Sequence, residues 1–221
     1  MAAHRQGGAP KQRAARRNRV AHASHQGVTR CMNRAQRAVL PAPSEPRVRR
    51  AYYDCRYGQL HVHYAIPAGG GFDEATPLLC IAGAPGSGRF FRPLLTPLGR
   101  DRCVYAPDLP GSGESDAGPA HVGSADLAAA MGDLLDSMLL RQVDILAHES
   151  GVAIALALAQ QRPTQVGRVV LSPDTESVRS ETRVLRYPSL VIDLRAAEAS
   201  GHDGPEFERQ AMQLRNFLGL A

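Results

Sequence analysis

Short apolar segments alternate with amphipathic ones through residues 51–221. Residues 77–82 and 142–147 are almost continuously apolar, which is typical of strands buried on both faces. Residues 125–140 and 152–161 place hydrophobic side chains at helical spacing, and Ser124 is the predicted N-cap of the first helix. Similar patterns predict strands at 102–106, 166–171 and 189–194 and helices at 90–98 and 206–218. The alternation predicts an α/β fold, a mostly parallel sheet of about seven strands with helices on both faces.

A hairpin is predicted at the start of this region. Residues 51–57 are strand-like, and residues 60–66 alternate hydrophobic and polar positions. The pair Gly58-Gln59 between them is the predicted turn. The hairpin therefore marks the beginning of a domain that spans residues 51–221.

Charge divides the chain into two parts. The formal net charge is +5, but residues 1–50 hold 12 basic residues and one acid, whereas residues 51–221 have a net charge of −6. We therefore predict a basic, disordered tail over residues 1–50, whose boundary is marked by three prolines, Pro41, Pro43 and Pro46. Its Arg-rich composition also fits a transit peptide, or an arm that touches nucleic acid or anionic surfaces. Any nucleic-acid binding is expected through this tail alone.

Several functions are disfavoured by what the sequence lacks. No apolar stretch approaches the roughly 18–20 residues of a membrane span. Four cysteines without paired spacing exclude a disulfide scaffold and a multi-cysteine zinc module. His61 and His63 share one face of a strand, but no third metal ligand is indicated, and nucleotide-binding loops are incomplete. We predict a cytoplasmic protein with no metal or cofactor, of undetermined oligomeric state, that binds a small-molecule substrate or ligand.

Three segments together resemble the α/β-hydrolase family. Residues 81–88 (IAGAPGSG) follow a buried strand, as the family's oxyanion loop does, and residues 104–116 (VYAPDLPGSGESD) are close to its D-x-x-G-x-G-x-S-D loop. Residues 143–151 (VDILAHESG) run from a strand through a sharp turn into a helix, at the position of the nucleophile elbow. The resemblance implies an α/β-hydrolase fold of the haloalkane dehalogenase and epoxide hydrolase branch.

This resemblance places Glu149 at the nucleophile position of the elbow. Esterases and lipases of the family have Ser there, and haloalkane dehalogenases and epoxide hydrolases have Asp. A carboxylate can attack a substrate carbon and form an ester that water then hydrolyses. Two alternatives stay open: Glu149 is a loss-of-function substitution, or Ser150 is the nucleophile.

The resemblance also implies an oxyanion hole. Its donors would be the backbone N–H groups of Ala84 and Ser150, next to Gly83. His148 precedes the nucleophile position, where it would either donate a hydrogen bond in the pocket or pack at the turn.

The C-terminal part departs furthest from the family. Too few residues separate the strand at 166–171 from His202 to hold an ordinary cap and two further strands. The cap is therefore predicted to be absent or minimal, and the acid-bearing strand to be missing from a truncated fold. His202 matches the family's general base, and Asp174 or Glu176 would orient it as the third member of a triad.

The sequence thus predicts a hydrolase of small esters, epoxides or haloalkanes. Its carboxylate would be Glu149 and its base His202, in a site expected to be weak or degenerate because the usual acid and cap are missing. The alternative is a catalytically inactive relative that binds a small ligand or a partner protein.

Overall fold

The computed structural model describes residues 45–70, 75–83, 86–173, 187–195 and 204–219. Of the predicted tail, residues 1–44 lie outside these ranges. The strands are β1 (Arg49–Cys55), β2 (Gly58–Ala65), β3 (Leu78–Ile81), β4 (Val104–Pro107), β5 (Val143–His148), β6 (Val166–Ser172) and β7 (Ser189–Val191). The helices are a 3-10 helix (Gly88–Phe91), α1 (Arg92–Leu98), α2 (Ser124–Ser137), α3 (Gly151–Gln161) and α4 (Pro205–Phe217).

The strands form one sheet in the order β1-β2-β4-β3-β5-β6-β7. Five neighbouring strands pair in parallel, in the sheet order β4, β3, β5, β6 and β7. Strand β2 pairs antiparallel with both β1 and β4. The mostly parallel α/β sheet predicted from the sequence is confirmed. Because parallel strands share one carboxyl edge, the residues that directly follow β3, β5 and β6 (Ala82, Glu149 and Pro173) lie at the same edge of the sheet.

Helices cover both faces of the sheet, as predicted. Side chains of α2 and α3 pack in one apolar cluster, and those of α1 and α4 pack in another on the opposite face. Strands β3, β4 and β5 are buried along their whole length between these layers, which explains their continuous apolar sequences. No helix in the described part of the chain has the length and apolar character needed to cross a membrane.

The hairpin begins two residues before the predicted domain boundary. Arg49 and Arg50 belong to β1, where they pair with Tyr64 and His63 of β2. The turn lies at residues 56–57 and not at Gly58-Gln59, since Cys55 already pairs with Gly58. The boundary was placed too late because β1 is an edge strand with an exposed face. Such a strand accepts charged residues, so Arg49 and Arg50 resemble the residues of the basic tail.

The start of α2 also differs from the prediction. Ser124 is the first helical residue, and the N-cap is Gly123. The Gly123 N–H donates a hydrogen bond to Asp126 Oδ2 at 3.3 Å. The Asp126 carboxylate therefore satisfies a donor at the helix start, so no side-chain cap from Ser124 is needed.

An ion pair joins the hairpin turn to α2. The guanidinium of Arg56 donates to both carboxylate oxygens of Asp133, at 2.7 Å from Nε and 3.0 Å from Nη2. The Arg56 backbone N–H adds a third hydrogen bond at 2.9 Å. The side-chain hydrogen bond from Arg56 lowers the pKa of Asp133 below its usual range, because it stabilises the ionised carboxylate.

Replacing Asp133 with Asn is expected to lower the free energy of unfolding by about 0.5–1 kcal/mol near neutral pH, since the pair is partly exposed. A carboxylate with a lowered pKa stabilises the folded state above its unfolded pKa, and this stabilisation disappears as the pH falls through the folded value. Urea unfolding of both proteins between pH 7 and about pH 2.5 should therefore show a difference that shrinks in acid. Asp54→Asn, at an exposed carboxylate of β1, is the control; an equal effect there would contradict the assignment.

Candidate active site

The site is built on the turn between β5 and α3. His148 ends β5, Gly151 begins α3, and Glu149 between them has a φ of 50°. A non-glycine residue in this left-handed region is strained, and such strain occurs at functional turns. The Glu149 N–H donates to the Ser172 carbonyl at 2.8 Å, and the Val152 N–H donates to the Glu149 carbonyl at 3.0 Å. These two bonds hold the Glu149 backbone in its strained conformation.

Two glycines let neighbouring chain segments approach this turn closely. A Cβ atom on Gly151 would lie 2.5 Å from the Ile81 carbonyl oxygen, so the first residue of α3 must be glycine to pack on the end of β3. A Cβ on Gly83 would lie 2.6 Å from Ser150 Oγ and 3.0 Å from Ser150 N. Gly83, in the loop after β3, therefore packs directly against the turn.

The Glu149 carboxylate is held by one of its two oxygens. Arg195 Nε and Nη2 both donate to Oε1, at 2.9 Å and 2.7 Å. The ring of His148 adds a longer contact, with Nε2 at 3.9 Å from the same oxygen. Glu149 Oε2 has no hydrogen bond within the described residues. The Glu149 side chain is 41% exposed.

Arg195 is a site residue that the sequence did not indicate. It follows β7, and β7 lies beside β6, whose last residue accepts a hydrogen bond from Glu149. Nothing near Arg195 in the chain distinguishes it from the other arginines. Only the position of β7 in the sheet brings its guanidinium to the Glu149 carboxylate, so the pairing depends on tertiary structure.

His148 packs beneath the turn. It is 5% exposed, and its ring stacks on Phe90 with centroids 4.3 Å apart and planes inclined by 5°. Its Nδ1 lies 3.2 Å from Ser172 Oγ, which also accepts a hydrogen bond from the Leu194 N–H at 3.0 Å. Packing at the turn is one of the two roles predicted for His148; the contact with Glu149 at 3.9 Å is too long for the hydrogen bond of the other role.

The structure thus brings together four of the predicted site residues: Gly83, His148, Glu149 and Ser150. Ser150 is exposed, and its side chain makes no capping hydrogen bond at the start of α3. The other four predicted residues lie outside the described residues: Ala84, Asp174, Glu176 and His202. The predicted absence of a cap concerns residues 174–186, which also lie outside them.

A second polar cluster supplies the third candidate metal ligand that the sequence did not indicate for His61 and His63. Asp108, directly after β4, joins them, and one ligand atom from each residue lies within 4.8 Å of the others. Asp108 Oδ2 is 2.9 Å from His61 Nδ1, and all three side chains are buried. Such a trio has the donor types that could hold a metal ion. The sequence did not indicate it because only the antiparallel pairing of β2 with β4 brings Asp108 to the histidines.

Comparison with known proteins gives consistent results. A family model described as the alpha/beta hydrolase fold matches residues 76–219. RutD of Yersinia enterocolitica, which bears the provisional name of a carbamate hydrolase, is 36% identical over 111 residues, covering 49% of this chain and 40% of RutD. The chain therefore spans less than half the length of this relative.

Solved structures share the fold. The epoxide hydrolase CorEH superimposes with a TM-score of 0.52 at 20% identity, covering 57% of this chain and 43% of CorEH. A CIB-like hydrolase from Thermoplasma acidophilum superimposes with a TM-score of 0.55 at 15% identity, covering 66% of this chain and 73% of that protein. At these identities the likeness is one of fold.

Proposed function

Because the chain belongs to the alpha/beta hydrolase fold family, we propose that it is a hydrolase of small uncharged electrophiles that uses the Glu149 carboxylate as its nucleophile. Epoxides and haloalkanes are the substrates that suit a carboxylate nucleophile best. Small esters are the third class, for which Glu149 would act on water as a general base.

One observation supports this proposal: the Glu149 carboxylate lies on the strained strand–turn–helix connection, with Oε1 held by Arg195 and Oε2 without a hydrogen bond from the described part of the chain. Arg195 fixes Oε1 through two hydrogen bonds, which limits rotation of the carboxylate. Oε2 is then the oxygen that would meet a substrate carbon. A positioned nucleophile gains rate because its orientation is fixed before the reaction.

The proposed reaction has two steps. Glu149 Oε2 attacks an epoxide carbon, the bond from that carbon to the ring oxygen breaks, and the oxygen keeps the electron pair, stays on the second carbon and takes a proton from solvent. This forms a hydroxyalkyl ester of Glu149. Water then attacks the ester carbonyl carbon and loses its proton to the base, so that a diol leaves and the carboxylate returns. We propose His202 as that base, oriented by Asp174 or Glu176, and the N–H groups of Ala84 and Ser150 as donors to the oxyanion.

Isotope labelling tests this proposal on the full chain. Styrene oxide and 1-bromobutane are incubated with excess enzyme in H₂¹⁸O, and the peptide containing Glu149 is analysed by mass spectrometry. Covalent catalysis is expected to place ¹⁸O in the Glu149 carboxylate, because water attacks the ester carbonyl carbon. Turnover that labels only the product would show that Glu149 is not the nucleophile.

Esters and carbamates complete the substrate panel. A p-nitrophenyl ester and a small carbamate are included, the latter because RutD bears a carbamate hydrolase name. Turnover of these two compounds alone, with no label in the protein, would assign Glu149 to general-base catalysis. Absence of turnover across the panel would favour the inactive, ligand-binding alternative.

A further inference from the structure

A cavity of about 490 Å³ lies on the face of the sheet that carries α1. Its walls come from β1, β2, the segment from Ser87 to α1, and the loop after β4. The volume falls within the range of about 300–1,000 Å³ that is usual for small-molecule sites. The side chains that decide its chemistry are Arg49, Arg50, His63, Arg89, Arg92 and Glu114. We call it the arginine cavity.

Three of the four arginines in this cavity have no acidic partner. Arg50 pairs with Glu114 at 3.3 Å. Within the described residues, Arg49, Arg89 and Arg92 make no ion pair or side-chain hydrogen bond. Arg89 and Arg92 therefore bring two positive charges without an ion-pair partner to the wall of the cavity, and a bound anion would accept hydrogen bonds from both.

The acidic groups at the arginine cavity are already engaged. Asp108 accepts hydrogen bonds from the backbone N–H groups of Gly88 and Glu114, at 2.8 Å and 2.9 Å, besides its contact with His61. The Glu114 carboxylate accepts from Arg50 and from the Tyr52 hydroxyl, both at 3.3 Å. Each carboxylate keeps its negative charge, but neither forms an ion pair with Arg89 or Arg92 within the described residues.

His63 is a further polar group in the wall of the arginine cavity. The residue is 6% exposed, and its ring nitrogens have no hydrogen-bond partner within the described residues. They are open to the cavity and not enclosed by protein, so the ring is available to a group bound there.

We infer that the arginine cavity binds a small polyanion, a phosphorylated or polycarboxylated metabolite whose oxyanion groups contact Arg89 and Arg92. The anion would also accept a hydrogen bond from His63. A ligand with at least two adjacent negative charges fits, because a single charge would leave one of the two guanidinium groups uncompensated. This site does not include Glu149, so it stands independently of the proposed hydrolytic activity.

Isothermal titration calorimetry on the full chain tests the inference. Pyrophosphate represents phosphorylated ligands and citrate represents polycarboxylates, each titrated at low ionic strength. We expect at least one of them to bind, and the double variant Arg89→Gln/Arg92→Gln to weaken that binding by about tenfold or more, since each lost bond joins charged groups. The tighter of the two probes identifies the ligand class.

The matched control removes two positive charges elsewhere. Arg141→Gln/Arg209→Gln alters exposed arginines outside the arginine cavity, and it should leave binding unchanged. This control matters because residues 1–50 carry most of the chain's excess positive charge and could attract anions themselves. Absence of binding by both probes, or equal weakening in the two double variants, would overturn the inference.

Discussion

Glu149→Gln is expected to lower kcat at least about 100-fold on any epoxide or haloalkane that the wild-type protein hydrolyses. The amide has nearly the same size as the carboxylate and can still accept a hydrogen bond from Arg195. It is a far weaker nucleophile than a carboxylate, so the covalent step is lost while the turn is preserved. Steady-state kinetics with both proteins measure the effect. KM should change much less than kcat, because the substitution removes chemistry and not the binding surface.

Two controls separate this effect from unfolding. Glu208→Gln makes the same chemical change at an exposed position on α4 and should leave kcat unaltered. Glu149→Gln itself should unfold at the wild-type temperature, since Gln and Glu meet the positive φ at residue 149 with similar strain. A kcat in Glu149→Gln within a few-fold of wild type would remove the carboxylate from the mechanism and return Ser150 to consideration.

The anchored carboxylate has consequences for this chemistry. Arg195 withdraws electron density from Oε1, so the ion pair that orients the carboxylate also weakens it as a nucleophile. Both partners are about half exposed, so solvent screens much of this attraction. The hydrogen bonds from Arg195 therefore orient the Glu149 carboxylate while reducing its nucleophilicity only slightly.

The elements of this fold follow from local sequence because burial on two faces leaves a strong pattern. Strand β3 is a continuous apolar run, β5 is mostly apolar, and α3 begins at the glycine that the elbow pattern requires. The positions that were mispredicted lie where burial is weak. The edge strand β1 and the start of α2 are exposed, so charge and capping residues there do not identify the exact boundary.

The candidate site is only partly encoded in local sequence. The residues of one continuous segment, His148 to Gly151, are recognisable together because the sharp turn restricts their types. Contacts between distant segments cannot be recognised in this way. Arg195 lies beside Glu149 because of the position of β7 in the sheet, and Asp108 lies beside His61 because β2 pairs with β4. Such pairs depend on strand order, which the apolar pattern does not determine.

A buried ion pair near the opposite end of the strands carries the largest expected effect on stability. Arg102 is 2% exposed, and its Nη1 donates to Asp144 Oδ2 at 2.8 Å. Its Nη2 donates to the Leu218 carbonyl at 2.7 Å, which ties the residue after α4 to the sheet. Asp144 also accepts from the Arg168 backbone N–H at 2.7 Å, so the network joins β5, β6 and the C-terminal helix.

Arg102→Met is therefore expected to lower the free energy of unfolding by about 3 kcal/mol, toward the lower end of the range for a broken buried pair. The methionine fills similar volume, but it leaves the Asp144 carboxylate without its nearest cation. The lower end applies because Arg168 Nη1, 3.6 Å from Asp144 Oδ2, still compensates part of the charge. Urea unfolding followed by circular dichroism measures the difference.

Two further variants separate an uncompensated charge from lost packing. Arg100→Met, at an exposed arginine paired with Glu45, should change stability by no more than about 0.5 kcal/mol. The double variant Arg102→Met/Asp144→Asn should be more stable than Arg102→Met alone, because the Asn side chain can still accept from the Arg168 N–H and carries no charge. A double variant less stable than the single one would show that the loss arises from packing around Arg102, since removing the charge would then bring no relief.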